Sequence, residues 1–344
     1  MSDVRMDLER SLDRLGAELC TVAVREAAEK GELPLALWNA AVDLGLDKLA
    51  LSEENGGFGF SLSDALFALR VLARHAMPLP LADHFIACRL LQRANIEVPD
   101  GPLTLALGSY ALTEASVDGS ASRVPSADHC TQAVVVSAER IGLVSLEGAR
   151  STRERNLASE SRLQLEFKSA PLIAAASLKN ADDMALCEAA LVRSVQMVGA
   201  MEGAMSMTIQ YATERVQFGR AIGKFQAVQQ MIAVMAGEVA ASSAASDYAI
   251  YREAQAHDPA AVAVAKARVS EAAGKVAESA HQTLGAMGIT REHGLHYRTR
   301  RLWAWREEFG NEVYWQTRLG QAVCAQGADS VWPMLSEFPS AIST

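Results

Sequence analysis

The first part of the chain has the apolar spacing of amphipathic helices. Leucines recur at intervals of three and four near the N-terminus, namely Leu8, Leu12, Leu15 and Leu19. A single buried stripe on a helix requires this spacing. Residues 32–44 and 63–75 repeat the pattern, and the segment SEENGGFGF at 52–60 between them predicts a tight loop. We therefore expect an α-helical domain over residues 1–102.

The periodicity changes after Pro102. The runs LTLALGSYALTEAS, QAVVVSA, IGLVSL and RLQLEF alternate in polarity or are rich in β-branched residues, and Gly, Ser and Asp separate them. Such runs are typical of short strands. They predict a small antiparallel β domain over residues 103–172.

After Pro171 the apolar period returns to that of a helix and stays there. Four long stretches have this period, at 181–212, 225–256, 259–284 and 295–326. Long helices with short connections pack as an up-down bundle. We expect a C-terminal four-helix bundle over residues 173–344, and hence an α+β fold class in the order helices, sheet, bundle.

The composition describes a globular protein of two or three domains. Half of the 344 residues are hydrophobic and 21% are charged, so the chain is not of the disordered class. The net charge of −9 argues against nucleic acid as the main partner, because nucleic-acid binding depends on clustered Lys and Arg.

Cysteine usage and apolar runs bear on location. The five cysteines are scattered without a CxxC pair, which favours reduced thiols. The N-terminus lacks the pattern of a signal peptide, and no apolar run approaches the roughly 20 residues of a membrane span. These observations predict a cytoplasmic protein without a membrane span.

Two segments of the C-terminal part carry an unusual set of Arg, Gln, Gly and aromatic residues. ERVQFGRAIGKFQ at 214–226 has Arg215 and Phe218 three positions apart, which predicts that both lie on one helix face. HQTLGAMGITRE at 281–292 contains Gln282 and Gly285. In this order the segments resemble the RxxFG…FQ and QxxGGxG motifs of the acyl-CoA dehydrogenases, which are FAD enzymes.

The resemblance implies an FAD site shared between subunits. It makes Arg215 a ligand of the flavin pyrophosphate, with Phe218 packed beside it and Gln226 close by. It also places Gln282 and Gly285 on the cofactor across the subunit interface, where a missing Cβ lets backbone approach a ligand closely.

The β domain contains a further part of the resemblance. The segment YALTE at 110–114 is similar to the family strand that ends in Thr-Glu-Pro. The resemblance implies that backbone groups at Tyr110 and Leu112 and the hydroxyl of Thr113 address the flavin ring. It implies a phosphate or substrate contact for Ser120. The alternative interpretation of TEASVDGS is an ordinary polar turn.

Three positions depart from the family pattern. Ala286 replaces the second glycine of QxxGGxG, Ala115 stands where the family has Pro, and residues 121–140 contain no Trp-x-Thr. The family places that Trp-x-Thr against the flavin. The methyl group of Ala286 is either tolerated or displaces the dinucleotide.

Acyl-CoA dehydrogenation requires a general base, because a proton leaves the carbon α to the thioester while a hydride leaves the β carbon. The resemblance places this Glu nine residues after an Arg, in Glu-Gly-Thr. Counting from Arg298 without a gap gives Glu307, and a shift of one residue gives Glu308. Successive helical residues point about 100° apart, so only one of the two faces the substrate. A surface acidic pair is the alternative interpretation.

The resemblance implies that the chain forms a homodimer or homotetramer and catalyses the FAD-dependent α,β-dehydrogenation of an acyl-CoA. It also implies that the electrons pass to an electron-transfer flavoprotein. The missing Trp-x-Thr, Ala286, and Glu308 and Phe309 in place of the Gly-Thr that follows the base favour an alternative of another class. In that alternative the chain is a non-catalytic subunit that completes the flavin site of a related chain in a mixed oligomer. A flavin oxidase on the same scaffold is a third hypothesis.

A metal site is not predicted. Glu292, His293 and His296 have a spacing that metal ligands use, but no motif supplies a third and fourth ligand. We interpret these residues as part of a loop and a helix start.

Overall fold

The computed structural model describes residues 3–290 and 292–330. Its elements follow the predicted order of helices, sheet and helices. The last residues of the predicted C-terminal domain, 331–344, lie outside the described part. The N-terminal helices are α1 (Asp3–Leu19), α2 (Val22–Glu29), α3 (Leu35–Asp43), α4 (Leu62–Arg74) and α5 (Leu81–Arg93).

The N-terminal helices bury the stripe that their sequence predicts. Leu12 and Leu15 of α1 are buried, and α1 packs against α4. Ser61 caps α4, because its side chain accepts a hydrogen bond from the backbone N–H of Asp64 at 3.1 Å. Pro80 precedes α5, a position where its missing N–H costs no helical hydrogen bond.

The middle of the chain forms a seven-stranded sheet. Its strands are β1 (Leu103–Ala106), β2 (Ser109–Leu112), β3 (Ser116–Pro125), β4 (Gln132–Ser137), β5 (Arg140–Ser145), β6 (Arg150–Arg155) and β7 (Ser161–Ser177). The strand order is β1-β4-β5-β7-β3-β2, and β6 pairs with β7 outside this path. β1 and β4 are parallel, with Leu103 opposite Gln132. The other pairs described in this sheet are antiparallel as predicted, so the sheet is mixed and departs from the prediction at the β1–β4 pair.

The long strand β7 holds the two parts of the sheet together. Its first half pairs with β3, with Phe167 opposite Gly119, and with β6. Its second half pairs with β5, with Ala174 opposite Leu143. The strand ends at Ser177, beyond the predicted domain boundary at residue 172.

The C-terminal part contains five helices rather than four within the described residues. They are α6 (Ala181–Glu214), α7 (Gln226–Gln255), α8 (Pro259–Leu284), α9 (His296–Glu307) and α10 (Glu312–Gln326). A short hairpin of β8 (Val216–Gln217) and β9 (Arg220–Ala221) lies between α6 and α7.

The predicted fourth helix is interrupted by a turn between α9 and α10. Phe309 and Gly310 have φ of 56° and 88°, a left-handed conformation that ends a helix. The interruption changes the geometry assumed for Glu307 and Glu308. They are not successive helical residues, since Glu308 has an extended backbone with ψ of 138°.

α6 is the central helix of the C-terminal part. By length and composition alone it would be able to cross a membrane, but 83% of its apolar window is buried inside the protein. This burial is typical of the core helix of a folded domain.

Two glycines allow α6 to approach α4 closely. A Cβ built at Gly199 would lie 2.0 Å from the carbonyl oxygen of Arg70, and one at Gly203 would lie 2.3 Å from that of Arg74. No real side chain fits at these distances. The glycines therefore set the distance between the N-terminal helices and the C-terminal helices.

We expect Gly199→Ala to lower the free energy of unfolding by roughly 1–3 kcal/mol, because overpacking forces the helices apart. Gly320→Ala in α10 is the matched control, since a Cβ there meets nothing within 4 Å. It should raise stability by about 0.5–1 kcal/mol through helix propensity. Urea unfolding measures both variants. An unchanged midpoint for Gly199→Ala would contradict the close helix contact.

Candidate functional site

The two candidate carboxylates point in different directions because the chain turns between them. Glu307 is the last residue of α9 and is exposed, and it accepts a hydrogen bond from the side chain of Asn311 at 3.1 Å. Glu308 begins the turn to α10 and is only 8% exposed. Counting nine residues from Arg298 without a gap thus leads to Glu307, whose carboxylate faces the solvent. Counting with a shift of one residue leads to Glu308, whose carboxylate faces the interior.

Two arginines hold the carboxylate of Glu308. Arg162 of β7 donates through Nε to Oε1 at 3.0 Å and donates to the same oxygen through Nη2. Arg193 of α6 brings its Nη2 to 2.9 Å from Oε2. The side chain of Asn156 also donates to Oε1, at 3.1 Å. Both oxygens of Glu308 therefore face cations.

Aromatic rings hold Arg193 in this place. Its guanidinium carbon lies 5.3 Å from the ring centre of Trp305 and 5.4 Å from that of Phe309. Both distances are in the range of cation–π contacts. Arg193 is thus fixed between a residue of α9 and a residue of the following turn.

The ion pairs continue into a larger buried set. Arg193 lies 3.4 Å from Asp83 of α5, and Glu160 pairs with Arg162 at 3.2 Å and with Arg301 of α9 at 2.9 Å. We name this set the charge cluster; its members are Asp83, Glu160, Arg162, Arg193, Arg301 and Glu308. Three carboxylates face three guanidinium groups, so the formal charges cancel. The members come from the N-terminal helices, the sheet and the C-terminal helices.

The arginines determine the proton affinity of Glu308. Burial by itself would raise the pKa of this carboxyl, but Arg162 and Arg193 outweigh burial and hold the pKa below its usual value. At Asp83 burial dominates, and the pKa is raised. A carboxylate with a lowered pKa is a weaker general base. Glu308 is poorly suited to proton abstraction while both arginines contact it.

The charge cluster borders a small cavity between the three parts of the chain. The cavity volume is about 80 Å³, and several cluster members line it, together with Ser126 and Gln196. Small-molecule sites have volumes of roughly 300–1,000 Å³ and mostly apolar walls. This cavity is too small and too polar for an acyl chain.

The predicted contacts to the flavin ring lie around the turn between β2 and β3. Thr113 is exposed, and its hydroxyl oxygen accepts hydrogen bonds from the backbone N–H groups of Ser116 at 2.9 Å and Ala115 at 3.2 Å. Thr113 therefore caps this turn, as the polar-turn interpretation requires. Its exposure leaves it accessible to a ligand as well.

The neighbouring candidates differ in accessibility. The hydroxyl of Tyr110 donates to the backbone oxygen of Ala106 at 3.1 Å, and burial raises its pKa. Leu112 packs against the core of the sheet. The side chains of both residues are therefore engaged within the sheet. Ser120 on β3 is exposed.

The segment after α6 is a hairpin, so the prediction that Arg215 and Phe218 share a helix face was wrong. α6 ends at Glu214, and Arg215 follows as an exposed residue with extended backbone. Phe218 at the hairpin tip has φ of 50° and is 92% exposed. Gln226 is the exposed first residue of α7. An aromatic ring held this far out of its own core is typical of an interface.

The end of α8 is also exposed. Gln282 lies in the last turn, and Gly285 ends the helix with φ of 59°. A Cβ at Gly285 would meet nothing within 4 Å. Ala286 is exposed as well, so the substituted glycine does not disturb the fold of this chain.

The exposed hydrogen-bond donors are of the chemical types that bind a flavin dinucleotide. A guanidinium group matches pyrophosphate, and amide and hydroxyl groups match the ring and ribityl oxygens. The donors lie on the β2–β3 turn, the β8–β9 hairpin and the end of α8. Within residues 3–290 and 292–330, no hydrogen bond or ring contact joins one of these segments to another. A site that uses all three fits best between two chains.

The histidines after α8 serve local structure. His296 contacts the backbone oxygen of His293 at 3.1 Å, and the ring of His293 meets Tyr211 edge-on. Elsewhere Asp183, Cys187 and His257 bring potential metal-binding atoms close together. Arg318 already pairs with Asp183 at 2.7 Å and occupies the place of a cation.

Comparison with known proteins places the chain in a family. The acyl-CoA dehydrogenase N-terminal domain matches residues 5–94, and the acyl-CoA dehydrogenase C-terminal domain matches residues 182–312. The chain belongs to the acyl-CoA dehydrogenase family. This family consists of FAD-dependent oxidoreductases that act on the CH–CH bond beside an acyl-CoA thioester. The predictions of the family, of its fold and of FAD as its cofactor are confirmed.

Individual relatives agree with this assignment. The chain is 29% identical to the acyl-CoA dehydrogenase IpdE2 of Mycobacterium tuberculosis over 76% of its own length and 78% of the relative. Its fold matches the ChsE4-ChsE5 complex of Mycobacterium tuberculosis with a TM-score of 0.87, 22% identity and coverage of 95% and 99%. It matches butyryl-CoA dehydrogenase of Megasphaera elsdenii with a TM-score of 0.84, 17% identity and coverage of 94% and 98%.

Among the members of the charge cluster, the family motifs point only to Glu308. No motif marks Asp83, Glu160, Arg162, Arg193 or Arg301. One signal was available, since Arg162 stands at the start of the apolar strand sequence RLQLEF. A charged residue in such a run is rarely buried without a partner.

We expect Glu308→Gln to lower the free energy of unfolding by roughly 3–5 kcal/mol, because it leaves Arg162 and Arg193 buried beside a neutral group. Glu307→Gln is the control and should change stability by less than about 0.5 kcal/mol. The pKa of Glu308 is lowered, so its stabilisation is present above about pH 4.3 and is lost as pH falls through the folded-state pKa. Chemical unfolding at neutral and acidic pH measures the free energy of unfolding of the wild type and of both variants. Equal effects of the two variants at neutral pH would contradict the inward position of Glu308.

Proposed function

We propose that this chain serves FAD-dependent α,β-dehydrogenation of an acyl-CoA thioester as one subunit of a mixed oligomer. It completes the flavin site of a related chain, and that chain supplies the general base. Electrons then pass to an electron-transfer flavoprotein, in the cytoplasm. The observation that carries the proposal is the contact of Glu308 with Arg162 and Arg193.

The state of the two carboxylates argues against a base in this chain. A general base needs a free carboxylate beside the substrate carbon. Glu308 is engaged by Arg162 and Arg193, and Glu307 is exposed and bonded to Asn311 at 3.1 Å. Moving the carboxylate of Glu308 into a substrate pocket would break its contacts with Arg162 and Arg193 and leave an excess positive charge in the buried charge cluster.

The cavity supports the same conclusion. Its volume of about 80 Å³ leaves no room for an acyl chain, and Arg193, Arg162 and Glu160 form part of its wall. An apolar acyl chain would have to displace charges that are already paired. An acyl group therefore does not fit this cavity while the ion pairs are formed.

The segments that we assign to flavin binding, by contrast, are exposed. When bound, FAD supplies the acceptor for the hydride that leaves the β carbon. Arg215 and Gln282 offer side-chain donors for its phosphates and ring, and Gly285 allows a close approach of backbone. A structural neighbour of this chain, the ChsE4-ChsE5 complex, is itself an assembly of two named proteins.

One observation favours a second candidate, a homodimer or homotetramer that dehydrogenates acyl-CoA with its own base. Glu308 faces the interior beside the cavity rather than the solvent. In that case substrate binding would have to separate Glu308 from Arg193 before the carboxylate acts.

We expect Arg215→Ala to weaken FAD binding about ten- to a hundredfold, because a charge-assisted contact to pyrophosphate contributes roughly 1.5–3 kcal/mol. The tagged protein is purified from its native host with any chain that assembles with it, and FAD is titrated after its removal. Arg10→Ala is the control, since Arg10 is exposed on α1 and, within the described residues, its one ion pair is with Asp7 at 3.3 Å. Unchanged FAD affinity in Arg215→Ala would reject the role of this residue.

The same preparation tests the source of the base. If a related chain supplies it, Glu308→Gln protein that circular dichroism shows to be folded should have a rate of flavin reduction by acyl-CoA within about twofold of wild type. If Glu308 is the base, the rate should fall about 10²-fold or more. A preparation that contains this chain alone, binds FAD and is reduced by acyl-CoA would overturn the mixed-oligomer proposal.

A further inference from the structure

Lys266 is a fully buried lysine in the middle of α8. Its ammonium group donates to the backbone oxygens of Gly310 at 2.8 Å, Arg306 at 2.9 Å and Trp305 at 3.3 Å. It also donates to the hydroxyl of Ser270 at 3.2 Å. Three of its four acceptors are thus backbone oxygens from the end of α9 and the turn that follows.

This turn is the segment that directs Glu308. Phe309 and Gly310 have φ of 56° and 88°, and a non-glycine residue in this region costs about 1 kcal/mol or more. The conformation persists only if its surroundings hold it. Lys266 binds the turn at Gly310, and the indole N–H of Trp315 donates to the backbone oxygen of Phe309 at 2.9 Å.

The same contacts reach the charge cluster. Trp305 offers its backbone oxygen to Lys266 and its indole N–H to Glu160, at 2.9 Å. The rings of Trp305 and Phe309 both lie against Arg193. A shift of the turn would therefore move Glu308 and the rings that hold Arg193 at the same time.

We propose that Lys266 is a positioning residue whose ammonium group holds the turn 308–310 in the conformation that directs Glu308 toward Arg162 and Arg193. It acts through backbone oxygens and does not itself meet the cavity. The proposal concerns the conformation of this chain and holds whichever chain supplies the base.

The contact between Lys266 and the turn 308–310 is sensitive to pH. Burial and the charge of Arg193 lower the pKa of Lys266 to about 7, against the opposing effect of Glu308, Glu307 and Glu312. These groups belong to α6, to the end of α9 with its turn, and to the start of α10. A neutral amine has two N–H donors instead of three and turns a lone pair toward a carbonyl oxygen. The turn should loosen as pH rises through this pKa.

Two tryptophans report on the turn directly. 5-Fluorotryptophan gives each indole its own ¹⁹F signal, and Trp305→Phe and Trp315→Phe assign the two signals of interest. In the wild-type protein we expect these signals to shift together between about pH 6 and 8.5, with a midpoint near the Lys266 pKa of about 7. The signal of Trp38 in α3 serves as the internal reference and should stay constant.

Three variants test the assignment to Lys266. Lys266→Met should abolish the joint shift, and Lys275→Met, an exposed lysine of the same helix that pairs with Glu238, should retain it. Glu312→Gln should move the midpoint to lower pH, because it removes a negative charge that raises the Lys266 pKa. If Lys266→Met does not fold, the midpoints of the joint shift in the wild-type protein and in Glu312→Gln still test the proposal. Signals that do not titrate together, that titrate equally in Lys266→Met, or whose midpoint is unmoved by Glu312→Gln would overturn the proposal.

Discussion

The buried contact between Glu308 and the two arginines Arg162 and Arg193 is the interaction on which the architecture of the site depends. Taking ions out of water costs several kcal/mol per ion, and only close pairing offsets this. The charge cluster meets that condition with three carboxylates and three guanidinium groups. Because its members come from all three parts of the chain, the electrostatic requirement for pairing also fixes how those parts meet.

The same contact limits what Glu308 can do as a general base. A general base has to be available to the substrate, whereas Glu308 is buried and engaged by Arg162 and Arg193. The features that the chain retains are on its surface: Arg215, the ring of Phe218, and Gly285. This arrangement supports the proposed assembly with a related chain.

The turn between α9 and α10 links these observations. Its left-handed residues Phe309 and Gly310 place Glu307 outside and Glu308 inside, and Lys266 holds the turn through its backbone oxygens. A continuous helix would have placed the two carboxylates about 100° apart. The buried lysine is electrostatically compatible with this place because Glu307, Glu308 and Glu312 partly offset the unfavourable charge of Arg193.

The sequence by itself determined most helices and strands, because apolar periodicity is a property of neighbouring residues. The leucine stripe that ends at Leu15 and Leu19 and the long helix α8 both show this periodicity. The sequence also contains the family motifs, because the spacing of Arg215, Gln282 and Gly285 can be recognised without a structure. Tertiary structure alone decided the rest. β6 lacks apolar alternation and exists through pairing with β7. The parallel pairing of β1 with β4, the inward turn of Glu308 and its two arginine partners depend on contacts between residues far apart in the chain, which local periodicity does not encode.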